Sequence, residues 1–392
     1  MRIGIGVSFL RKPGTGIGQV TTNFLKKFVE YQISDIKYQN LNVVLYCEEE
    51  PRLDFELPEN FRIRAFLPFW KRDDVPRRML WERELSKRAQ EDGCDVFLSL
   101  SQSSTSFVGY KLKTESYKLP RHIMVVHDVI PRLFPDYLGT LMRKLHWRSV
   151  EQGIRNADRI VAVSEKTKAD IVSTLGVPAE RISVAYPDCA SVFRSGVGAE
   201  EIGRVMKKYA LEPGYIYHGG GLEVRKNAER LIRAYAELRE SRKNSPMLVI
   251  SGKVFPASNR LATDVRGLVR ELGLEESVVV LGFVPEEDLP ALYHGAAFFA
   301  YPSLYEGFGL PILEAFVSGT PVLAGRAGSV PELAGDAALL VDPESVETIR
   351  RGMEQLLDDA TLRGSLSEKG RTRANDFSWN TFTEKICGHF TV

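Results

Sequence analysis

Arg2-Ile3-Gly4-Ile5-Gly6-Val7 and, shortly after, Lys12-Pro13-Gly14-Thr15-Gly16-Ile17-Gly18 open the chain. The first run is short and apolar, as a strand buried on both faces should be. The second is rich in glycine. From about Gln19 onward, Val20, Phe24, Leu25 and Phe28 recur at helical spacing. Strand, glycine loop and helix in that order begin a β-α-β unit. Working outward, further strands are predicted at residues 42–46, 95–100, 122–126, 159–163 and 181–185, with helical or turn-rich segments between them. Ser164 is placed to cap a helix running to Leu175, which Gly176-Val177-Pro178 stops. Such alternation predicts a parallel sheet with crossover helices.

The pattern restarts after a polar, glycine-bearing stretch at residues 191–213. A strand at 215–218 runs into Gly219-Gly220-Gly221 and a helix over 228–239. Strands follow at 247–251, 277–281, 297–301, 321–324 and 338–341. Helices are expected at 261–272, 289–295, 310–317 and 346–357, with a longer one reaching Ala374. The chain of 392 residues therefore reads as α/β, with two Rossmann-like parallel-sheet domains at 1–200 and 201–375.

Composition excludes several classes. There are 52 basic and 51 acidic residues, a net charge of +1 that gives no support for bulk nucleic-acid binding. Cys47, Cys94, Cys189 and Cys387 form no CxxC pair, which argues against a disulfide framework or a cysteine-rich zinc site and for a reducing compartment. No histidine pair has HxxxH spacing and no DxD triplet occurs, so no metal ligand set is expected. The first residues are too short and glycine-rich for a signal peptide, and no apolar run reaches the ~18 residues of a membrane span.

Gly14, Gly16 and Gly18 lie between strand and helix, where free amides favour an anion. The spacing is not GxGxxG, so no dinucleotide follows from it. The alternative is that these glycines only shape a turn. Gly219 to Gly221 hold the same place in the second half, and Arg225 and Lys226 follow them. Amides with two cations would suit a pyrophosphate; the alternative is a solvated helix start. Glu306 sits in a glycine-bearing loop after a strand, the end at which open α/β sheets bind ligands. Glu314 interrupts an apolar helix face, and a buried carboxylate needs donors such as sugar or ribose hydroxyls.

The pair Glu306 and Glu314, with seven residues between them, resembles the acidic signature of retaining nucleotide-sugar glycosyltransferases of the GT-B fold, family 4 (group 1). So do His127-Asp128-Val129-Ile130-Pro131, Ala162-Val163-Ser164, Arg225-Lys226-Asn227, Leu281-Gly282-Phe283-Val284, Gly319-Thr320-Pro321-Val322 and Gly328-Ser329-Val330-Pro331-Glu332. The resemblance covers nearly the whole chain and is nearest to bacterial mannosyltransferases of O-antigen or exopolysaccharide synthesis. It implies two domains facing each other across a cleft, with residues 376–392 as a helix crossing back to the first; Phe377, Trp379, Phe382 and Ile386 have apolar spacing suited to that.

The resemblance also implies roles. Glu314 would bind the ribose and Glu306 the donor-sugar hydroxyls. Arg225 and Lys226 would neutralise the leaving pyrophosphate. Gly309 and Leu310 amides would lie near sugar or phosphate, with Gly220 and Gly221 nearby. His127 would donate to a donor-sugar hydroxyl, Gly16 and Gly18 would approach phosphate and acceptor, and Phe283 and Val284 would line the base pocket. Many relatives carry an arginine where this chain has Gly219 to Gly221, so Lys226 carries more weight than Arg225.

The implied donor is a sugar nucleotide, GDP-mannose first and a UDP-sugar second, with no further cofactor and no metal. The implied acceptor is a glycan or polyprenyl-linked saccharide. A cytoplasmic location is expected, with peripheral contact at the inner membrane. Residues 66–88 mix Leu67, Phe69, Trp70, Met79, Leu80 and Trp81 with Lys71, Arg72, Arg77, Arg78, Lys87 and Arg88, and resemble an interfacial surface; the alternative is an ordinary helix packed on the first domain. Residues 110–121 add a basic acceptor loop. A nucleotide-sugar epimerase and a non-catalytic sugar-nucleotide-binding assembly protein are the rival readings.

Overall fold

The computed structural model describes residues 1–34, 38–39, 41–67, 74–107, 119–256 and 258–390. It divides into two units, Met1–Pro187 with Ser378–Val392, and Asp188–Phe377. In the first unit, β1 (Arg2–Gly6), β2 (Asn42–Cys47), β3 (Phe61–Ala65), β4 (Val96–Ser99), β5 (Arg121–Val126), β6 (Arg159–Ala162) and β7 (Ile182–Val184) form one sheet in the order β3-β2-β1-β4-β5-β6-β7. Every pairing in it is parallel. Ile3 and Ile5 are fully buried, as a central strand covered on both faces requires. Strand order reverses between β1 and β4, so a crevice at the carboxyl ends of Gly6 and Ser99 is the expected ligand position.

The second unit repeats the plan with β8 (Tyr215–His218), β9 (Leu248–Ser251), β10 (Val278–Gly282), β11 (Ala296–Tyr301), β12 (Val322–Gly325) and β13 (Leu339–Val341), ordered β10-β9-β8-β11-β12-β13. The helices Ala228–Ser241 and Val346–Asp358 cover one face and share a core with Ile216, Ile250, Phe298 and Leu323. The switch point falls between β8 and β11, where Gly219 and Pro302 begin their loops.

Several boundaries differ from the sequence reading. The junction lies at 187/188 rather than 200/201. Asp188 pairs with Arg194 at 2.6 Å, Arg194 also donates to the carbonyls of Ala374 and Phe377, and Phe193 packs edge-on to Tyr293. These bonds hold residues 188–200 in the second unit. Phe377 stays there too, edge-on to Phe308 at 5.6 Å. The helix Trp379–Cys387 belongs to the first unit. There Tyr31 donates to the Asn380 carbonyl, and Phe28 meets Phe390 edge to face.

β3 escaped the sequence reading because its half-exposed Phe-Arg-Ile-Arg-Ala run lacks a core signature. The helix expected over 261–272 is only Val265–Glu271, because the Asp264 side chain caps the Gly267 amide and starts it late.

Gly16 and Gly18 are not loop residues: they form the first turn of the helix Gly16–Ser34. The Gly18 N–H donates to the Thr15 hydroxyl at 3.1 Å, which donates in turn to the Lys12 carbonyl at 2.8 Å. That amide is therefore already capped, against the expectation of a free anion donor. Gly18 also permits close packing, since a Cβ there would stand 2.0 Å from the Lys12 oxygen. Gly18→Ala should cost about 1–3 kcal/mol, the usual scale of overpacking, and lower the midpoint of thermal unfolding.

In residues 66–88, Phe69, Trp70, Lys71 and Arg72 lie outside the described residues, as do residues 110–118 of the basic loop. The described remainder is mostly not a free surface. Trp81 is buried and stacks on Phe66, and the Arg88 guanidinium lies over the same ring at 4.4 Å. Among the described residues, no helix is long and apolar enough to cross a membrane.

Candidate active site

In the second unit the switch point gathers side chains from three loops. The chain leaves β8 through Gly220 and Gly221, at φ 85° and 106°, a region that favours glycine. A Cβ on Gly220 would strike Pro311 at 2.6 Å, whereas one on Gly221 would meet nothing within 4 Å. Gly220 is therefore a packing requirement, and Gly221 borders open space. A single 3-10 turn, Val224–Lys226, then presents Arg225 and Lys226. Asn227 ends it in a left-handed conformation. Its side-chain amide donates to the carbonyls of Pro302 at 2.9 Å and Pro343 at 2.6 Å, tying this turn to the loops after β11 and β13.

Glu306 is buried and accepts five hydrogen bonds from four side chains. Lys226 Nζ reaches Oε1 at 2.8 Å and Oε2 at 3.0 Å. Arg225 reaches Oε2 at 2.8 Å, Tyr301 donates to Oε1 at 2.8 Å, and Ser303 donates to Oε1 at 2.6 Å. Lys226 also donates to the Tyr301 hydroxyl. Burial opposes the charge on Glu306, but Arg225 and Lys226 hold its pKa down at about 2. A carboxylate has about four lone-pair sites. A sugar hydroxyl can therefore bind Glu306 only by exchanging with one of these donors, and the hydroxyls of Tyr301 and Ser303 are the exchangeable ones. The loop itself is fixed from behind: the Ser329 N–H donates to the Glu306 carbonyl at 3.1 Å and its hydroxyl to the Phe308 carbonyl at 2.7 Å.

Glu314 is the opposite case. It projects from the helix Leu310–Val317, which starts at Gly309 with φ 112°. It is also buried, yet its carboxylate has one hydrogen-bond donor among the described residues, Tyr293 at 2.9 Å. Desolvation raises its pKa to about 7, and the Tyr293 bond only partly offsets this. The group is short of donors. Folding therefore favours its protonated form, a contribution that is complete below the unfolded pKa and lost as pH rises through 7. Glu314→Gln should match the wild type in stability at pH 4, below the unfolded pKa. It should exceed it by about 2–3 kcal/mol at pH 8, read by urea unfolding at both pH values.

The other expected residues are dispersed. Phe283 follows Gly282 and is 75% exposed, whereas Val284 beside it is buried. Leu310 opens the helix that carries Glu314. His127 belongs to the first unit, at the end of β5. Its Nε2 lies 2.9 Å from the Leu100 carbonyl, and a carbonyl can only accept, so Nε2 carries the proton. Burial lowers its pKa to about 4, leaving a neutral ring. The remaining nitrogen, Nδ1, is then an acceptor, so the ring cannot donate to a sugar hydroxyl as expected; it would accept from one.

Tyr301, Ser303 and Tyr293 carry no role in the sequence reading, and Asn227 stands there only as part of the Arg225-Lys226-Asn227 motif. The aromatic pair reads as core, and only the polar residues flanking the Glu306 loop could have hinted at a network. Among the described residues, no group of three His, Cys, Asp or Glu side chains is placed to hold a metal ion.

The family model for glycosyl transferases group 1 matches residues 204–373, and that for Glycosyltransferase Family 4 matches residues 28–187. The chain is 30% identical to O-antigen chain mannosyltransferase B of Escherichia coli over the full length of both proteins. It is 32% identical to the serotype-specific mannosyltransferase WbdA of Escherichia coli, over 69% of this chain and 33% of that protein. Among solved structures, WaaG, a glycosyltransferase involved in lipopolysaccharide biosynthesis, is similar over 99% of both chains, with a TM-score of 0.73 at 16% identity. Anabaena HepE in complex with UDP-glucose is similar over 100% of this chain and 99% of that one, with a TM-score of 0.73 at 16% identity. The two likenesses establish the fold, GT-B.

Proposed function

We propose, from the premise that the chain belongs to the group 1, family 4 glycosyltransferases, that it moves mannose from GDP-mannose, with retention, to a hydroxyl of a glycan or lipid-linked acceptor. The observation that carries this reading is the pair of cations, Arg225 and Lys226, fixed by one buried carboxylate beside the Gly221 turn. The choice of mannose rests on the full-length likeness to a mannosyltransferase.

In the reaction, the bond from the anomeric carbon to the β-phosphate oxygen breaks and the acceptor oxygen bonds to that carbon. Negative charge grows on the leaving diphosphate, whose departing oxygen takes the proton that the acceptor hydroxyl loses. Lys226 and Arg225 stabilise that charge from a buried, pre-arranged position, where each donor is worth more than in water. Glu306 holds the two cations in place and takes a sugar hydroxyl by exchange with Tyr301 or Ser303. Glu314 accepts from the ribose hydroxyls, which supply the donors it lacks. His127 accepts from a sugar hydroxyl through Nδ1, and Phe283 and Val284 line the base site. The product from GDP-mannose is an α-mannoside.

Ribose binding to ionised Glu314 has a pH signature. Donor affinity should rise several-fold between pH 6 and pH 8, and Glu314→Gln should bind more weakly with a flat profile. An equally steep profile in the variant would remove Glu314 from the ribose site.

Nucleoside diphosphate release tests the reaction, measured without acceptor from GDP-mannose, UDP-glucose, UDP-N-acetylglucosamine and UDP-galactose. Turnover of GDP-mannose alone is expected. Turnover of a UDP-sugar instead would replace the donor, and turnover of none by folded protein would overturn the transferase reading in favour of a binding protein.

A further inference from the structure

At the other switch point, wholly inside the first unit, lies a cavity of about 330 Å³ that reaches from Gly6 at the end of β1 to Ser99 at the end of β4. The helix Val75–Glu91 supplies Arg77, Arg78, Trp81 and Glu82 to its wall, and the helix Leu141–Asn156 supplies Arg143 and His146. Five cationic side chains line it against three carboxylates.

Two of those carboxylates are already committed. Glu48 pairs with Arg11 at 3.3 Å and also with Arg77. Glu82, only 2% exposed, takes Arg78 at 2.9 Å, His146 at 3.2 Å and the Ser104 amide at 3.0 Å. The wall thus offers donors and is short of acceptors. Trp81 and Ser103 are both more than nine-tenths buried in this lining, and among the described residues neither the indole N–H nor the Ser103 hydroxyl has a hydrogen-bond partner. An indole nitrogen can only donate, so what is missing there is an acceptor.

Resting on the transferase reading above, we infer that this cavity binds the phosphate or diphosphate group of an anionic acceptor, with the Trp81 N–H and the arginines as donors. A neutral saccharide would leave the excess positive charge unbalanced, whereas a phosphate supplies several acceptor oxygens and negative charge together. The acceptor is then a phosphorylated saccharide or one carried on a lipid diphosphate, and the charged group is its handle.

The test follows the indole N–H resonances of the full chain by NMR, with GDP at saturation so that the nucleotide site is filled. The Trp81 signal is identified by its loss in Trp81→Phe. Inorganic pyrophosphate should move that signal saturably. Arg11→Gln and Arg143→Gln, at side chains partly or largely exposed, should each weaken the response about ten-fold. Methyl α-mannoside should leave the signal unmoved. A response to the mannoside but not to pyrophosphate would overturn the inference in favour of a neutral-sugar pocket. A pyrophosphate response seen in a parallel titration without GDP but absent with it would assign the cavity to the donor's diphosphate, and no response to either probe under both conditions would also overturn the inference. GDP-mannose turnover, measured on the same sample, reports separately on the transferase reading.

Discussion

Alanine at Lys226 should lower kcat/KM for donor turnover by about 10²–10³-fold, the scale of removing one pre-arranged donor from a developing oxyanion. The ammonium is buried, bonded to both oxygens of Glu306, and lies over the Tyr301 ring at 5.0 Å. Arg225, Tyr301 and Ser303 remain to satisfy Glu306 in the variant, so the protein should still fold, and a melting curve checks this. Arginine should not restore activity, because its planar fork cannot replace a compact ammonium between Tyr301 and Glu306. Steady-state kinetics at saturating acceptor, or acceptor-free hydrolysis, reads the effect. A loss below five-fold would mean that Lys226 is not what stabilises the leaving group.

Glu306→Gln should damage both stability and activity. The substitution keeps the shape and removes the charge, leaving Arg225 and Lys226 facing each other in a buried site. Breaking one partner of a buried ion pair costs about 3–5 kcal/mol, which for a unit of this size lowers the melting temperature by roughly 10 °C. The pH dependence has a definite sign. The folded-state pKa of Glu306 is depressed to about 2, so its contribution is present above the ordinary carboxylate range and fades as pH falls toward 2. Wild type and variant should therefore converge in acid and diverge near neutrality. Donor turnover at pH 7 should fall by at least two orders of magnitude, because the cations lose the group that positions them. Equal stability at pH 7 would show that the pair is solvated and the network weak.

The contrast between Glu306 and Glu314 marks the limit of what the chain reveals before it is folded. Both were readable as functional carboxylates from their place after a strand and inside an apolar helix. Nothing in their spacing distinguishes one saturated by four side-chain donors from one left with a single tyrosine, because beyond Arg225 and Lys226 the donors come from Tyr301, Ser303 and Tyr293, residues that read as core or turn. Arg225 and Lys226 were equally visible as a basic pair after three glycines. That the pair is clamped by a carboxylate 80 residues away depends on β8 and β11 being neighbours, a non-local fact.

Regular elements were legible where burial was complete. β8 and the helices Leu289–Gly295 and Leu310–Val317 fall where their apolar pattern puts them. The pattern fails at the edge strand β3, whose arginines alternate with apolar residues, and at Gly16 and Gly18, where glycine reads as loop but begins a helix under a Thr15 cap. The direction of the His127 ring was beyond reach for the same reason: it is set by the Leu100 carbonyl, which only the packing of β4 beside β5 supplies.

Titration of GDP into the full chain by calorimetry, comparing wild type with Lys226→Ala and Glu314→Gln at pH 7.5, addresses the second-unit site most directly. Saturable binding to the wild type is expected, with affinity reduced at least ten-fold in each variant while melting curves confirm that both are folded. Undiminished GDP binding by both folded variants would place the nucleotide elsewhere and contradict the assignment of the Arg225, Lys226, Glu306 and Glu314 site.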